Sequence, residues 1–147
     1  MAARRAVEGL MTDSVRTIWE FLTVSGTGLN ALVQSRVWSP EAPVTFRNEQ
    51  AAIVYEMLDE ERTATPRNSV IVGFRCYGGK RQDGKDYSHD DARAVYLALH
   101  DRLNQADGAA MTSGTILVCA QQTGAQSYGE DDTDWPVVEA QYRFEIE

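Results

Sequence analysis

Cysteine is scarce: Cys76 and Cys119 are the only two in a chain of 147 residues. Neither has another Cys or a His at metal-ligand spacing, which excludes a zinc site built on Cys and His pairs. Both fall in expected strands. A thiol there is most simply a small buried group in a reducing compartment, and a strand-to-strand disulfide is the alternative. Histidine is as rare. His89 sits at the start of an expected helix and His100 near its middle, with no Ser–His–Asp or Cys–His set around either. Both read as helix-surface residues. No apolar run reaches about 18 residues, so no membrane-spanning helix is expected. Behind Arg4 and Arg5, Glu8 and Asp13 interrupt the place where a signal peptide needs its apolar region, so the chain reads as cytosolic. Internal repeats and low-complexity segments are absent.

Positive charge is short too. The chain has 14 Lys and Arg against 22 Asp and Glu, a net charge of −8 and a pI near 4.7. That argues against a general nucleic-acid binder, which needs a basic face to neutralise phosphates, and against docking on an anionic membrane. It favours solubility and leaves a local basic patch open.

No catalytic constellation stands out. Gly79-Lys80-Arg81-Gln82-Asp83-Gly84-Lys85 has the spacing of a phosphate-binding loop between a strand and a helix. Asp86 occupies the position where Ser or Thr would hold magnesium, however, and Asp83 lies within the loop. Two carboxylates would repel phosphates, and the helix starts too late for its dipole to help. This stretch reads as a surface loop with local positive charge. The acidic run Glu130-Asp131-Asp132-Thr133-Asp134 lacks the ligand spacing and following glycine of a calcium loop, so it reads as solvated. No cofactor and no metal are expected. Trp19, Trp38 and Trp135 read as core or interface anchors. Trp38 and Trp135 stand beside prolines at element ends, so for them a subunit interface weighs nearly as much as the core.

What is present is ordinary globular material, 43% apolar and 24% charged, enough for one domain spanning 1–147. Residues 1–13 are read as an N-terminal extension or a lead into the first helix. Val15, Ile18, Trp19 and Leu22 recur on one helical face, with Thr12 or Asp13 as N-cap. Ser25-Gly26-Thr27-Gly28 breaks that helix, and Leu29, Leu32 and Val33 predict another short turn or two. Arg36-Val37-Trp38 is a short apolar strand, and Pro40 and Pro43 keep it from the centre of a sheet. Ala52–Leu58 and Ser69–Tyr77 form a predicted antiparallel hairpin, with Val70, Val72, Phe74 and Cys76 on one face. Asp59–Arg62 reads as part of the connection.

Gly78–Tyr87 is a charged loop. Ser88 and Asp91 then open a long helix to about Ala106, striped by Ala92, Val95, Tyr96, Leu99 and Leu103. Thr115–Ala120 is a strand and Thr123–Trp135 a second charged loop. Val138, Ala140, Tyr142, Phe144 and Ile146 alternate on a final strand. The fold class is α+β: a mostly antiparallel sheet of four to five strands, with an N-terminal helix and one long helix on one face. The residues alone support no more than a soluble acidic domain of this class.

This order of elements resembles the tail-terminator proteins of bacteriophages with long, non-contractile tails. The matching residues are Arg36, Val37, Trp38 and Pro40, then Pro43, then Ala52-Ile53-Val54-Tyr55. The strand Val70–Tyr77, the helix pattern Asp91, Val95, Tyr96, Leu99 and the closing strand pair follow. The likeness runs from about Val15 to Ile146, and its order and spacing carry it. The first dozen residues and the polar run between Pro43 and Gln50 depart from the pattern.

The resemblance implies a mechanical role without enzymatic chemistry. A hexameric ring would sit on the end of the tail tube, stop its polymerisation and offer a surface to the head connector or stopper protein. DNA would pass through an acidic lumen without specific binding. The protein would be assembled in the host cytoplasm and end in the neck of the virion. The expected subunit or partner contacts are Trp38 and Trp135, together with Lys80, Arg81 and Lys85 on one loop and Glu130, Asp131, Asp132 and Asp134 on the other. A different neck component is the nearest alternative, and a small ligand-binding domain or enzyme is a more distant one.

Overall fold

The computed structural model describes residues 13–43, 50–62, 67–78, 89–129 and 136–147. Helix α1 covers Ser14–Leu22, with the Asp13 side chain accepting from the Arg16 N–H at 2.9 Å as N-cap. Its buried face is Ser14, Thr17, Ile18, Phe21 and Leu22. The expected stripe is therefore rotated: Val15 is 40% exposed and Phe21 only 1%. The rotation is affordable because the two small polar residues are satisfied. Asn68 donates to Ser14 Oγ at 3.0 Å, and Thr17 Oγ1 donates to the Asp13 carbonyl at 2.7 Å.

Helix α2, Gly28–Val33, is capped by Thr27 and buries Leu29 and Val33. Gly26 adopts a φ of +87°, open to glycine at little cost, in the turn that reverses the chain between the two helices.

The strands are β1 (Val37–Trp38), β2 (Ala52–Arg62), β3 (Asn68–Tyr77), β4 (Ala109–Met111), β5 (Gly114–Gly129) and β6 (Pro136–Ile146), with helix α3 (His89–Leu103) between β3 and β4. They form one sheet in the order β1-β2-β3-β6-β5-β4. All pairs are antiparallel except β1 with β2, which is parallel. The α+β class holds, but among the described residues the sheet has six strands rather than four to five, and the short helical turns expected around Leu29–Val33 form α2 beside the two longer helices.

The differences have physical causes. Asp59–Arg62 continues β2 past a register shift between Met57 and Asp59, where Leu58 bulges out 46% exposed. Thr123–Gly129 is strand and not loop. It pairs with β6 although Gln121–Ser127 are all exposed, so burial left no alternation there to read. Strand β4 is a three-residue hairpin arm, held by Gly108, whose φ is +82°, and by the Gly108 N–H to Ile116 carbonyl bond of 2.7 Å.

The helices lie on one face of the sheet. Ala92, Val95, Tyr96, Leu99 and Leu103 of α3 meet Val70, Val72, Phe74 and Cys76 of β3 and Val138, Ala140, Tyr142, Phe144 and Ile146 of β6. Phe74 is the hub, with ring centroids of Tyr55, Tyr142 and Phe144 at 5.8, 5.7 and 6.2 Å. A smaller cluster of Val54, Tyr77 and Val137 packs on the opposite face with Trp38 and Ala42.

Candidate subunit interface

The Arg36–Pro40 segment is held at one edge of the sheet by its arginine. Arg36 Nε donates to the Ala51 carbonyl at 2.8 Å, one terminal nitrogen to the Leu32 carbonyl at 3.1 Å and the other to Gln34 Oε1 at 3.2 Å. The fork thus joins the end of α2 to the start of β2. The Arg36 carbonyl accepts from the Ile53 N–H at 3.0 Å, which sets the parallel register of β1. Trp38 then lands on the face away from the helices, half-buried against Val54, Tyr77 and Val137. Arg75 reaches the Pro40 carbonyl at 3.4 Å behind it.

Between α1 and β1 lies an open cleft of about 340 Å³, lined by Asp13, Val15, Arg16, Trp19, Val37, Trp38, Ser39 and Tyr55. Its polar groups are largely engaged. Trp19 Nε1 donates to the Val37 carbonyl at 3.0 Å, and Tyr55 donates to the Val15 carbonyl at 2.7 Å. The Arg16 guanidinium lies 4.5 Å from the Trp19 ring centroid. Burial pushes the Tyr55 phenol above its ordinary value, and the nearby Asp13 charge adds to this. That phenol therefore stays neutral and occupied, and the cleft offers an aromatic recess with one cation rather than an acid–base pair.

A second depression of about 460 Å³ lies between the start of α2 and α3, and it includes Arg102. Arg102 donates to the Phe21 carbonyl at 3.1 and 3.2 Å and stacks 3.7 Å from the Phe21 ring centroid. It serves as a tie between α3 and the end of α1.

His100 is not a plain surface residue. It is half-buried, its Nδ1 hydrogen-bonded to the Tyr142 phenol. Nearby, Gln121 donates to the Tyr96 phenol at 2.9 Å. Burial first, and the Tyr96 phenol second, push Tyr142 upward. This polar string is internally satisfied beneath α3.

Both cysteines are free. Cys76 stands opposite Val138 and Cys119 opposite Phe144 on β6. That offset is roughly 20 Å along the strand at about 3.3 Å per residue, beyond disulfide reach. The disulfide alternative falls; Cys76 is a buried core thiol, whereas Cys119 is only partly buried against the core. Among the described residues no group of three or more His, Cys, Asp or Glu is placed to hold a metal ion. No helix among them is long and apolar enough to cross a membrane.

Of the expected contact residues, Trp38 is described and lies at the sheet edge just discussed. Lys80, Arg81, Lys85, Glu130, Asp131, Asp132, Asp134 and Trp135 lie outside the described residues, as do the Gly79–Lys85 loop and the Ser88 cap. The arginine clamp of Arg36 and the Trp19–Val37 bond were not anticipated. Both join residues from separate elements, and no local spacing announces them.

No protein-family model and no curated protein matches the chain. Among solved structures, it is similar to a chain of the virion of a native gene transfer agent (GTA) particle. The TM-score is 0.59 at 14% sequence identity, covering 88% of this chain and 90% of that one. At that identity the shared property is the fold, over nearly the full length of both chains.

Proposed function

We propose that the chain is a structural protein of a phage-like virion and, within that class, a tail terminator. The observation that carries the class is the shared fold with a chain of a gene transfer agent virion, over 88% of this chain and 90% of that one rather than over a fragment. The narrower reading draws its support from the resemblance of the Arg36–Pro40 element and the strand and helix order that follows.

In this reading the subunit makes and breaks no bond. A hexameric ring closes on the tube end, stops its growth and presents a docking surface to the connector. A ring requires heterologous contacts, one patch meeting a different patch on the next copy. Trp38 and the adjoining cleft offer an aromatic anchor of the kind that dominates such contacts. The basic group Lys80, Arg81 and Lys85 and the acidic group Glu130, Asp131, Asp132 and Asp134 are proposed to face each other across that joint.

The test is negative-stain imaging of particles produced without this gene. Overlong or ragged tails with unattached heads are expected, and tails of ordinary length would overturn the reading. A stopper or head-completion protein is the second reading. It is separated by binding: a terminator attaches to purified tail tubes, whereas a stopper attaches to filled heads.

A further inference from the structure

From Gly108 to Gly129 the chain contains no Asp, Glu, Lys or Arg, although such residues make up 24% of the protein. This stretch forms one edge of the sheet. Strand β4 covers β5 only at Gly114–Ile116, and the Asp107 carboxylate takes the Cys119 N–H at 2.8 Å. From Ala120 to Gly129, β5 has β6 on one side and no described strand on the other. Open edges of this kind are normally blunted by charges, proline or a covering element. Among the described residues only register shifts between Gln121 and Gln126 bend the strand, and they add no charge.

The other edge is open in a matching way. Strand β1 covers β2 at Ile53 and Val54 alone, which leaves Tyr55–Arg62 without a second described strand. Through the registers, Ile53 lies level with Ser127, and Arg62 lies level with Ile116. The two short strands therefore cap diagonally opposite corners. Strand direction alternates without a break across β2, β3, β6 and β5. A second copy placed head to tail brings its β2 antiparallel to β5, so the alternation continues from one copy to the next. Two β2 edges meeting each other would set Glu56, Asp59, Glu60 and Glu61, with Arg62 the one cation among them, against the same net negative stretch, whereas β5 brings no charge to the joint.

We propose that the open edge of β5 in one copy pairs with the open edge of β2 in the next, so that the subunits share one continuous antiparallel sheet. This rests on the ring reading and names the joint that closes it. Main-chain hydrogen bonds supply the attraction, and the corner strands β1 and β4 limit the stagger.

The test is amide hydrogen exchange on the full chain, comparing dilute monomer with protein assembled at high concentration or on purified tail tubes. Amides of 120–129 and of 55–62 are expected to exchange at least about ten-fold more slowly in the assembly. Protection of 120–129 alone would indicate a two-fold β5–β5 dimer and overturn the proposal. Assembly with both edges unprotected would also overturn it and leave the ring reading intact. Failure to assemble in either setting overturns both. Protection of both edges in an assembly that does not stop tube growth keeps the joint and removes the terminator role. The double substitution Gln122→Lys and Gln126→Lys, which charges the edge, is expected to weaken assembly about ten-fold or more with the monomer's melting temperature unchanged. A double variant that assembles like the parent overturns the joint.

Discussion

The indole N–H of Trp19 donates to the backbone carbonyl of Val37 at 3.0 Å, tying the N-terminal helix to a two-residue edge strand. Strand β1 is too short to hold its place by ladder bonds alone, so this side-chain bond and the Arg36 fork carry much of its position. Trp19→Phe keeps the ring and removes the donor. It is expected to cost about 1 kcal/mol in urea unfolding, the usual net worth of one such bond. An unchanged midpoint would show that Trp19 acts through packing alone.

Arg36 makes its bonds in a planar fork toward Ala51, Leu32 and Gln34. Arg36→Lys keeps the charge but places a single ammonium where three directions are needed. We expect about 1–2 kcal/mol of destabilisation, close to that of Arg36→Gln, because geometry rather than charge is what is lost. If lysine restored full stability, the fork would not be the reason for the arginine.

A Cβ on Gly78 would stand 2.4 Å from the Ala92 backbone nitrogen and 2.5 Å from the Asp91 carbonyl carbon. The end of β3 and the first turn of α3 touch backbone to backbone there, and no side chain can move aside. Gly78→Ala is expected to destabilise by about 1–3 kcal/mol, the ordinary range for overpacking. Gly124→Ala serves as the contrast, since a Cβ added there would meet nothing within 4 Å beyond its own chain neighbours. Equal melting temperatures for the two variants would refute the close approach.

Burial first, and the Asp107 carboxylate second, push the Cys119 thiol from 9.0 up to about 12, and burial alone pushes Cys76 upward as well. The phenols of Tyr55 and Tyr142 move in the same direction. In each case the folded pKa exceeds the unfolded one. The stabilisation is complete below the unfolded value and is lost as pH rises through the folded one. For Cys119 the window therefore runs from 9.0 to about 12. Denaturant midpoints should be level from neutral pH to about 9 as far as these groups are concerned, then fall. At pH 8 both thiols should react slowly with an alkylating reagent in the native state and rapidly once unfolded. Fast native labelling of Cys76 would contradict its burial.

Legibility along the chain followed burial. Strands β3 and β6 and helix α3 could be read because each sets one face against the core, so period two and period 3.6 survive in the sequence. Helix α1 was recognised with its face turned. Ser14 and Thr17 look like surface residues until Asn68 and the Asp13 carbonyl are known to meet them. The far half of β5 was hidden because Gln121–Ser127 are exposed on both faces, and a strand wet on both sides has no alternation to display. Trp38 was flagged by its flanking prolines, but nothing near it in the chain pointed to Val54, Tyr77 and Val137 as its packing partners.

The sequence by itself determined the α+β class, the helix-bearing face of the central strands and the acidic character. These depend on local periodicity and composition, which no rearrangement of the elements alters. Tertiary structure alone decided the order of the six described strands, the parallel seating of β1 and the two edges, at opposite corners of the sheet, that have no second described strand. Those features arise where segments distant in the chain exchange main-chain hydrogen bonds, and every residue type except proline carries the same main-chain donor and acceptor.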